Sequence, residues 1–303
     1  MSGPIGAVAP RETRKETMAR ARARAALIPD LLVEAHRVAN NVFAGWHGRR
    51  KRGVGEDFWQ FRHYVTGENL AAIDWRRSAR DDNIYVRDRE WQATHMVWLW
   101  VDESPSMLFR SQFAVVAKQS RALVLAFAMA ELLARSGERL GWLGLTRPML
   151  SRRAADHLGQ SLMLAPPQTR LPGPEGIRNF CDIVLFSDFL GPREETLSRL
   201  QAYARAGARG HLVQIVDPVE ETFPYAGRIE FRDPETGERL TAGSAQGLKN
   251  DYAALFAAHI ASVRAMARSI GWSHTLHHTD KPASQALVAL HVHLSQDVWR
   301  QHQ

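Results

Sequence analysis

The stretch MVWLWVDESPSM, residues 96–107, constrains this chain more than any other. Its first six residues, Met96 to Val101, are apolar without alternation, the pattern of a strand buried on both faces of a parallel sheet. The run ends at Asp102. Asp102, Ser104 and Ser106 then set a hard oxygen donor at every second position of a turn that leads towards a helix. A small hard cation needs such donors, roughly six for Mg²⁺, with some positions left to water or a partner. Open α/β sheets place sites of this kind in loops at the carboxyl ends of their strands. A plainer alternative has Ser104 or Ser106 capping the next helix while Asp102 accepts hydrogen bonds from loop amides.

Downstream the chain alternates. Residues 113–134 read as a long helix, apolar on more than one side. Strands at 140–145, 182–186, 211–216 and 272–277 are interleaved with helices at 152–164, 193–206, 252–269 and 282–294. This alternation predicts an α/β fold with a doubly wound, mostly parallel sheet and helices on both faces. Asp188 follows its strand as Asp102 follows its own, so two carboxylates face each other across a crevice at one sheet edge, whereas Asp182 lies at the opposite edge. Residues 228–231 and 238–241 flank Asp233-Pro-Glu-Thr-Gly237 and read as a β-hairpin inserted at about 221–245.

Upstream, Leu31, Leu32, Ala35, Val38, Ala39, Val42, Phe43 and Trp46 recur at helical spacing after Pro29, giving an amphipathic helix that docks on the chain's own core. The formal charge of +7 raises the question of nucleic acid. Much of the excess, however, sits in residues 1–25, a basic tail expected to be disordered, and in Arg49-Arg50-Lys51-Arg52. The lone Cys181 cannot form an intramolecular disulfide. No apolar run reaches the length of about 18 residues that a membrane span needs, and no signal-peptide core opens the chain. A cytoplasmic protein without a membrane span is the expectation.

Residues 53–92 are dense in aromatic, Arg and acidic residues: Gly53-x-Gly55, Phe58, Arg62-x-Tyr64, Gly67, Ile73-Asp74-Trp75, Ala79-Arg80 and Val86. Followed by an apolar strand and Asp-x-Ser-x-Ser-Met, this ordered set resembles the bacterial family called domain of unknown function 58. Glu68 departs from its pattern, in which Gly-Asp is common. Arg62, Glu68, Asp74, Arg76 and Arg80 are expected to form an ion-pair network covered by Tyr64 and Trp75. Interleaved acidic residues make nucleic acid the weaker partner for this block.

The Asp-x-Ser-x-Ser spacing also resembles the metal-ion-dependent adhesion site of von Willebrand factor A domains. The two resemblances imply a sheet of von Willebrand factor A type over residues 93–300, preceded by an N-terminal helix and an irregular segment, 26–92, packed on the core. They imply Mg²⁺, or Mn²⁺ or Ca²⁺, held by Asp102, Ser104, Ser106, Thr169 and Asp188, with Thr146 as the alternative loop ligand. They imply a partner protein presenting an Asp or Glu, and a chaperone-like or assembly role beside a MoxR-type AAA+ ATPase.

Enzymatic constellations are wanting. No phosphate-binding Gly-rich loop precedes a helix, and Ser104 lacks the glycines of a nucleophile elbow. His274, His277, His278 and Asp280, with His291 and His293 nearby, match no standard zinc spacing. The expectation is a non-enzymatic, metal-dependent protein-binding module. Two alternatives stay open: a metal-dependent hydrolase, in which the ion activates water, and a nucleic-acid-binding module using the basic tail and the run at 49–52.

Overall fold

A computed structural model describes residues 14–47, 60–64, 73, 75–80, 83–88 and 95–300. In chain order its elements are α1 (Arg14–His47), β1 (Gln60–His63), α2 (Trp75–Ser78), β2 (Tyr85–Asp88), β3 (Met96–Val101), α3 (Lys118–Arg135), β4 (Arg139–Trp142), α4 (Ala154–Leu164), β5 (Cys181–Ser187), α5 (Arg193–Arg205), β6 (Arg209–Val216), α6 (Pro218–Thr222), β7 (Ile229–Arg232), β8 (Arg239–Ala242), α7 (Lys249–Ser269), β9 (Ser273–His278) and α8 (Ala283–Arg300). The chain divides into two units, Met1–Ala44 with His95–Gln303, and Gly45–Thr94.

The larger unit is built on a five-stranded parallel sheet in the order β4-β3-β5-β6-β9. The chain steps outward from β3 to β4, then returns to β5 on the other side and continues to β6 and β9. The direction therefore reverses between β3 and β5, the place where loops diverge and leave a crevice at the carboxyl ends of the strands. Val101 lies opposite Phe186, and the Asp102 amide donates to the Phe186 carbonyl at 2.8 Å. Asp102 thus comes level with the end of β5.

Both faces of the sheet are covered. Val97, Leu99 and Val101 pack in one apolar cluster with residues of α1, α3, α4 and α8, whereas Trp98 and Trp100 join a second with residues of α5 and α7. Double burial explains the missing alternation in β3. It also explains α3, which is buried on nearly all sides. This helix starts at Lys118, later than its apolar pattern suggests; residues 109–117 form a loop held where the Ser111 amide donates to Asp217 Oδ2 at 2.9 Å.

The N-terminal helix is longer than its apolar stripe. Residues 14–25, basic enough to suggest a disordered tail, belong to α1, and residues 1–13 lie outside the described residues. Composition misleads because Arg24 is buried against a carboxylate 79 residues further on, a partner that local charge counting cannot reveal. The helix continues through Pro29, giving up one amide donor. Buried Ile28, Leu31, Ala35, Ala39 and Val42 hold it against the core. Gly159 on α4 permits the approach: a Cβ there would stand 2.9 Å from Leu32 Cδ1 and 3.2 Å from Ile28 Cγ2.

β7 and β8 pair as an antiparallel hairpin. Phe231 anchors it, stacking on Phe223 at 5.7 Å between centroids and meeting Tyr225 edge-on at 5.3 Å. In the smaller unit β1 and β2 pair antiparallel with Arg62 opposite Val86, and the Tyr85 amide donates to Ser78 Oγ at 2.9 Å. The expected network of Arg62, Glu68, Asp74, Arg76 and Arg80 depends on Glu68, Asp74 and the Arg62 side chain, which lie outside the described residues, as do the basic run at 49–52 and Gly53-x-Gly55. Trp75 is exposed.

Candidate functional site

Three neighbouring strands deliver a carboxylate to one edge: Asp102 follows β3, Asp188 follows β5 and Asp217 follows β6. All three are buried. Asp102 Oδ1 accepts the Ser104 amide at 2.8 Å and Oδ2 accepts the Ser187 hydroxyl at 2.6 Å. The hydroxyls of Ser104 and Ser106 lie 3.1 Å apart, and that of Ser106 lies close enough to Asp188 to help lower its pKa. Asp102, Ser104, Ser106 and Asp188 are therefore brought together. Ser104 precedes a 3₁₀ turn, Pro105–Leu108, without a side-chain cap bond, so the serines do not serve as caps. Asp102 does accept a loop amide, as the plainer alternative holds.

The residue between the donors points elsewhere. Glu103, fully buried, accepts from Arg24 Nη1 at 2.6 Å, from the Gln168 amide at 2.8 Å and from Gln119 Nε2 at 3.2 Å. An extended loop turns alternate side chains in opposite directions. Asp102 and Ser104 thus share one side of the loop, where the Ser104 hydroxyl meets that of Ser106 in the following 3₁₀ turn, while Glu103 ties the loop to α1, α3 and the connection after α4.

Asp188 is equally constrained. Its Oδ1 accepts the Leu190 amide at 3.1 Å and its Oδ2 accepts from Lys118 Nζ at 2.9 Å. Between them Phe189 takes a left-handed backbone conformation, φ 56°, at a cost on the order of 1 kcal/mol for a residue with a side chain. Lys118, fully buried, also donates to Glu220 Oε1 at 2.6 Å, and Glu220 Oε2 accepts the Asp217 amide at 2.8 Å in a capping box at the start of α6. From the hairpin turn, Glu235 Oε1 accepts the Ser106 amide at 2.8 Å.

These groups do not balance in charge. Burial and then the charge of Asp188 push the Asp102 carboxyl up to about 7, against the pull of its Ser187 and Ser104 bonds. Burial would raise Asp188 as well, but the Lys118 ammonium outweighs it and holds that carboxyl below its ordinary value. Glu220 and Glu235 are both raised, by burial first and with Asp188 contributing. Burial opposes the Lys118 charge, yet Asp188 and Glu220 keep its pKa above the ordinary lysine value.

Thr169 is exposed, one residue beyond Gln168, and the contacts linking the other four expected ligands do not reach its side chain among the described residues. Thr146 Oγ1 accepts the Trp142 amide at 2.8 Å and closes the turn after β4. The histidines of β9 do not converge. His274 meets Gln214 at 3.0 Å, His278 meets Glu221 at 2.7 Å, and His277 is buried. Among the described residues no three His, Cys, Asp or Glu side chains group to hold a metal ion. A cation at the β3–β5 edge would therefore depend on hydroxyl and solvent oxygens beside two carboxylates.

The model of the family described as "Protein of unknown function DUF58" matches residues 60–262. The chain belongs to the DUF58 family. That match takes in β3, β5, the hairpin and every residue of the edge just described. Similar chains include the uncharacterized proteins Rv1480 of Mycobacterium tuberculosis and Mb1516 of Mycobacterium bovis, each 28% identical over 273 residues with 82% of both chains covered. Among solved structures, the conserved hypothetical protein BatB from Bacteroides thetaiotaomicron aligns with a TM-score of 0.41 at 14% identity, covering 67% of this chain and 98% of its own. An aerotolerance-related membrane protein from Bacteroides fragilis aligns at 0.39 and 14%, covering 67% and 99%. Among the described residues of this DUF58 chain no helix is long and apolar enough to cross a membrane.

Sequence reasoning missed Lys118, Glu220, Glu235 and the Arg24–Glu103 pair. The signal for Lys118 appears only once the helix is known to start there and not at residue 113. A lysine in the first turn of an otherwise apolar helix opposes the helix dipole, and such a placement calls for carboxylates nearby. Nothing local marks Glu235, whose partner lies 129 residues away.

Proposed function

We propose that this DUF58 protein is a divalent-cation-dependent protein-binding module. The observation that carries the reading is the charge imbalance at the β3–β5 edge, where Asp102 and Glu235 each lie close enough to Asp188 to feel its charge while the Lys118 ammonium there is bonded to Asp188 and Glu220. Buried carboxylates are costly unless they are paired or bind a metal. The donors fit Mg²⁺ or Mn²⁺, which prefer carboxylate, hydroxyl and water oxygens. Asp102 and Asp188 would supply the charge, Ser104 and Ser106 neutral oxygens, and Thr169 a further oxygen from the neighbouring loop. When bound, the ion would offer an attachment point to an Asp or Glu of a partner protein. Glu103 and Arg24 hold the loop in place beforehand, so that little ordering cost falls on association.

Donors placed where the parallel sheet reverses support a von Willebrand factor A-like character. The family resemblance supports a MoxR-type AAA+ ATPase as the partner, supplying energy in a chaperone-like or assembly role in the cytoplasm. Titration calorimetry with Mg²⁺ and Mn²⁺ tests the core of this reading. The wild type is expected to show one saturable site that Asp102→Asn abolishes while remaining folded. Equal binding by folded Asp102→Asn, or no binding by the wild type at millimolar metal, refutes it.

One contact favours a second reading. Lys118 already neutralises Asp188, so the ammonium could be the resident cation of an edge that works without metal. Under that reading Lys118→Met creates a cation requirement; under the first it only strengthens one already present.

A further inference from the structure

One carboxylate at this edge comes from neither a strand end nor a helix. Glu235 lies in the turn of the β7–β8 hairpin, where its Oε1 accepts the Ser106 amide at 2.8 Å. The turn is built to present it. Asp233 Oδ1 accepts the Glu235 amide at 2.7 Å, Asp233 Oδ2 accepts the Thr236 hydroxyl at 2.9 Å, and Gly237 supplies the left-handed φ of 74° that closes the loop. Asp188 repels the Glu235 carboxylate, and the Lys118 ammonium is bonded to Asp188 and Glu220. A negatively charged side chain is thus delivered to one of the proposed oxygen donors by a separate piece of chain, without an ion pair among the described residues to reward it.

The hairpin that carries Glu235 can leave. Its strands are four residues each and largely exposed, with Phe231 as their anchor on the aromatic cluster. Two-stranded hairpins of this size are marginal on their own and open at low free-energy cost.

We infer that Glu235 is a built-in occupant of the position that a partner's carboxylate takes, so that the hairpin closes the site in cis and a partner must displace it. The inference rests on the cation-dependent reading above and adds to it the regulation of the same site. An incoming Asp or Glu would meet the Ser106 amide that Glu235 now engages. Removing Glu235 therefore opens the site to carboxylates in general.

The test uses Mn²⁺ and acetate as probes on the full chain. Mn²⁺ affinity is measured by calorimetry with and without acetate, with chloride at equal ionic strength as the control, for the wild type, Glu235→Ala, Asp233→Ala and Asp102→Asn. Asp233→Ala keeps the Glu235 carboxylate but releases the turn that presents it, so it checks the inference without deleting the group. Acetate is expected to leave wild-type Mn²⁺ affinity unchanged. In Glu235→Ala and Asp233→Ala it should raise that affinity by about fivefold or more, the lower range of coupling between two ligands. Asp102-dependent Mn²⁺ binding that responds to acetate equally in all three other proteins overturns the cis-occupant inference and leaves the cation reading intact. Absence of Asp102-dependent Mn²⁺ binding in the wild type and in both hairpin variants overturns the two together.

Discussion

Replacing Lys118 with methionine removes the ammonium from the edge while keeping the volume of its stem. Lys118 is fully buried, 2.9 Å from Asp188 Oδ2 and 2.6 Å from Glu220 Oε1. Breaking a buried pair leaves an uncompensated charge and costs about 3–5 kcal/mol. For a chain of this size that corresponds to a fall in melting temperature of roughly 10 °C. The loss comes from two stranded carboxylates, so neutralising them should recover most of it: Lys118→Met combined with Asp188→Asn and Glu220→Gln is expected within about 1 kcal/mol of the wild type. Urea unfolding at pH 7 in the presence of a chelator measures all three proteins. Saturating Mg²⁺ should then return stability to the single variant, about 2.7 kcal/mol at a hundred times its dissociation constant. If Lys118→Met loses less than about 1 kcal/mol, or the triple variant is no more stable than the single one, the charge-imbalance argument is wrong.

Other perturbations read other parts of the molecule. Arg24→Met strands the buried Glu103 carboxylate and should cost about 3–5 kcal/mol in urea unfolding, most of it recovered in Arg24→Met/Glu103→Met. Gly210→Ala sets a Cβ 1.8 Å from the Trp272 ring, which is itself stacked on Tyr203, and should cost about 1–3 kcal/mol in the same assay. Burial, and more weakly the charge of Asp182, push the Glu138 carboxyl up to about 7 from its usual 4.5. The folded state therefore holds that proton where the unfolded chain has lost it, and wild-type stability falls as pH rises from about 4.5 to about 7. Glu138→Gln should match the wild type near pH 5 and exceed it by on the order of 1 kcal/mol at pH 8, measured by thermal unfolding across that range.

The sheet was legible because its signal is local. An unbroken apolar run such as 96–101 needs burial on both faces, and parallel strands joined by helices are the arrangement that provides it. The hairpin was legible for a similar reason, since Asp233 to Gly237 carry their turn chemistry in five consecutive residues. Asp102 and Asp188 could be expected near each other because both end strands at one sheet edge, and Ser104 and Ser106 were named from the Asp-x-Ser-x-Ser spacing. What could not be read is what each charged side chain meets. Arg24 looks like part of a basic tail until its partner at Glu103 is known, and Glu220 and Glu235 look like surface residues of a helix and a turn. Those pairings depend on which loops converge over the sheet, and residue type alone does not carry that information.

The same separation bears on function. A fold can be stabilised by placing carboxylates where they are solvated, yet this chain brings Asp102 and Asp188 together in the interior, holds Phe189 in a left-handed conformation between them and Leu190, and seats Lys118 against the dipole of its own helix. The neighbouring buried carboxylates and the left-handed Phe189 each lower stability, Lys118 offsets part of that loss through Asp188 and Glu220, and all three features meet at the reversal point of the sheet. Local choices that contradict the global fold without compensation mark sites kept for something other than stability. The Arg24–Glu103 pair shows the contrast, for there the chain buries a carboxylate and fully satisfies it. Two buried acidic systems thus lie back to back on one loop. The satisfied one fixes its position, and the under-compensated one faces the crevice, which is where the cation and partner carboxylate proposed above would bind.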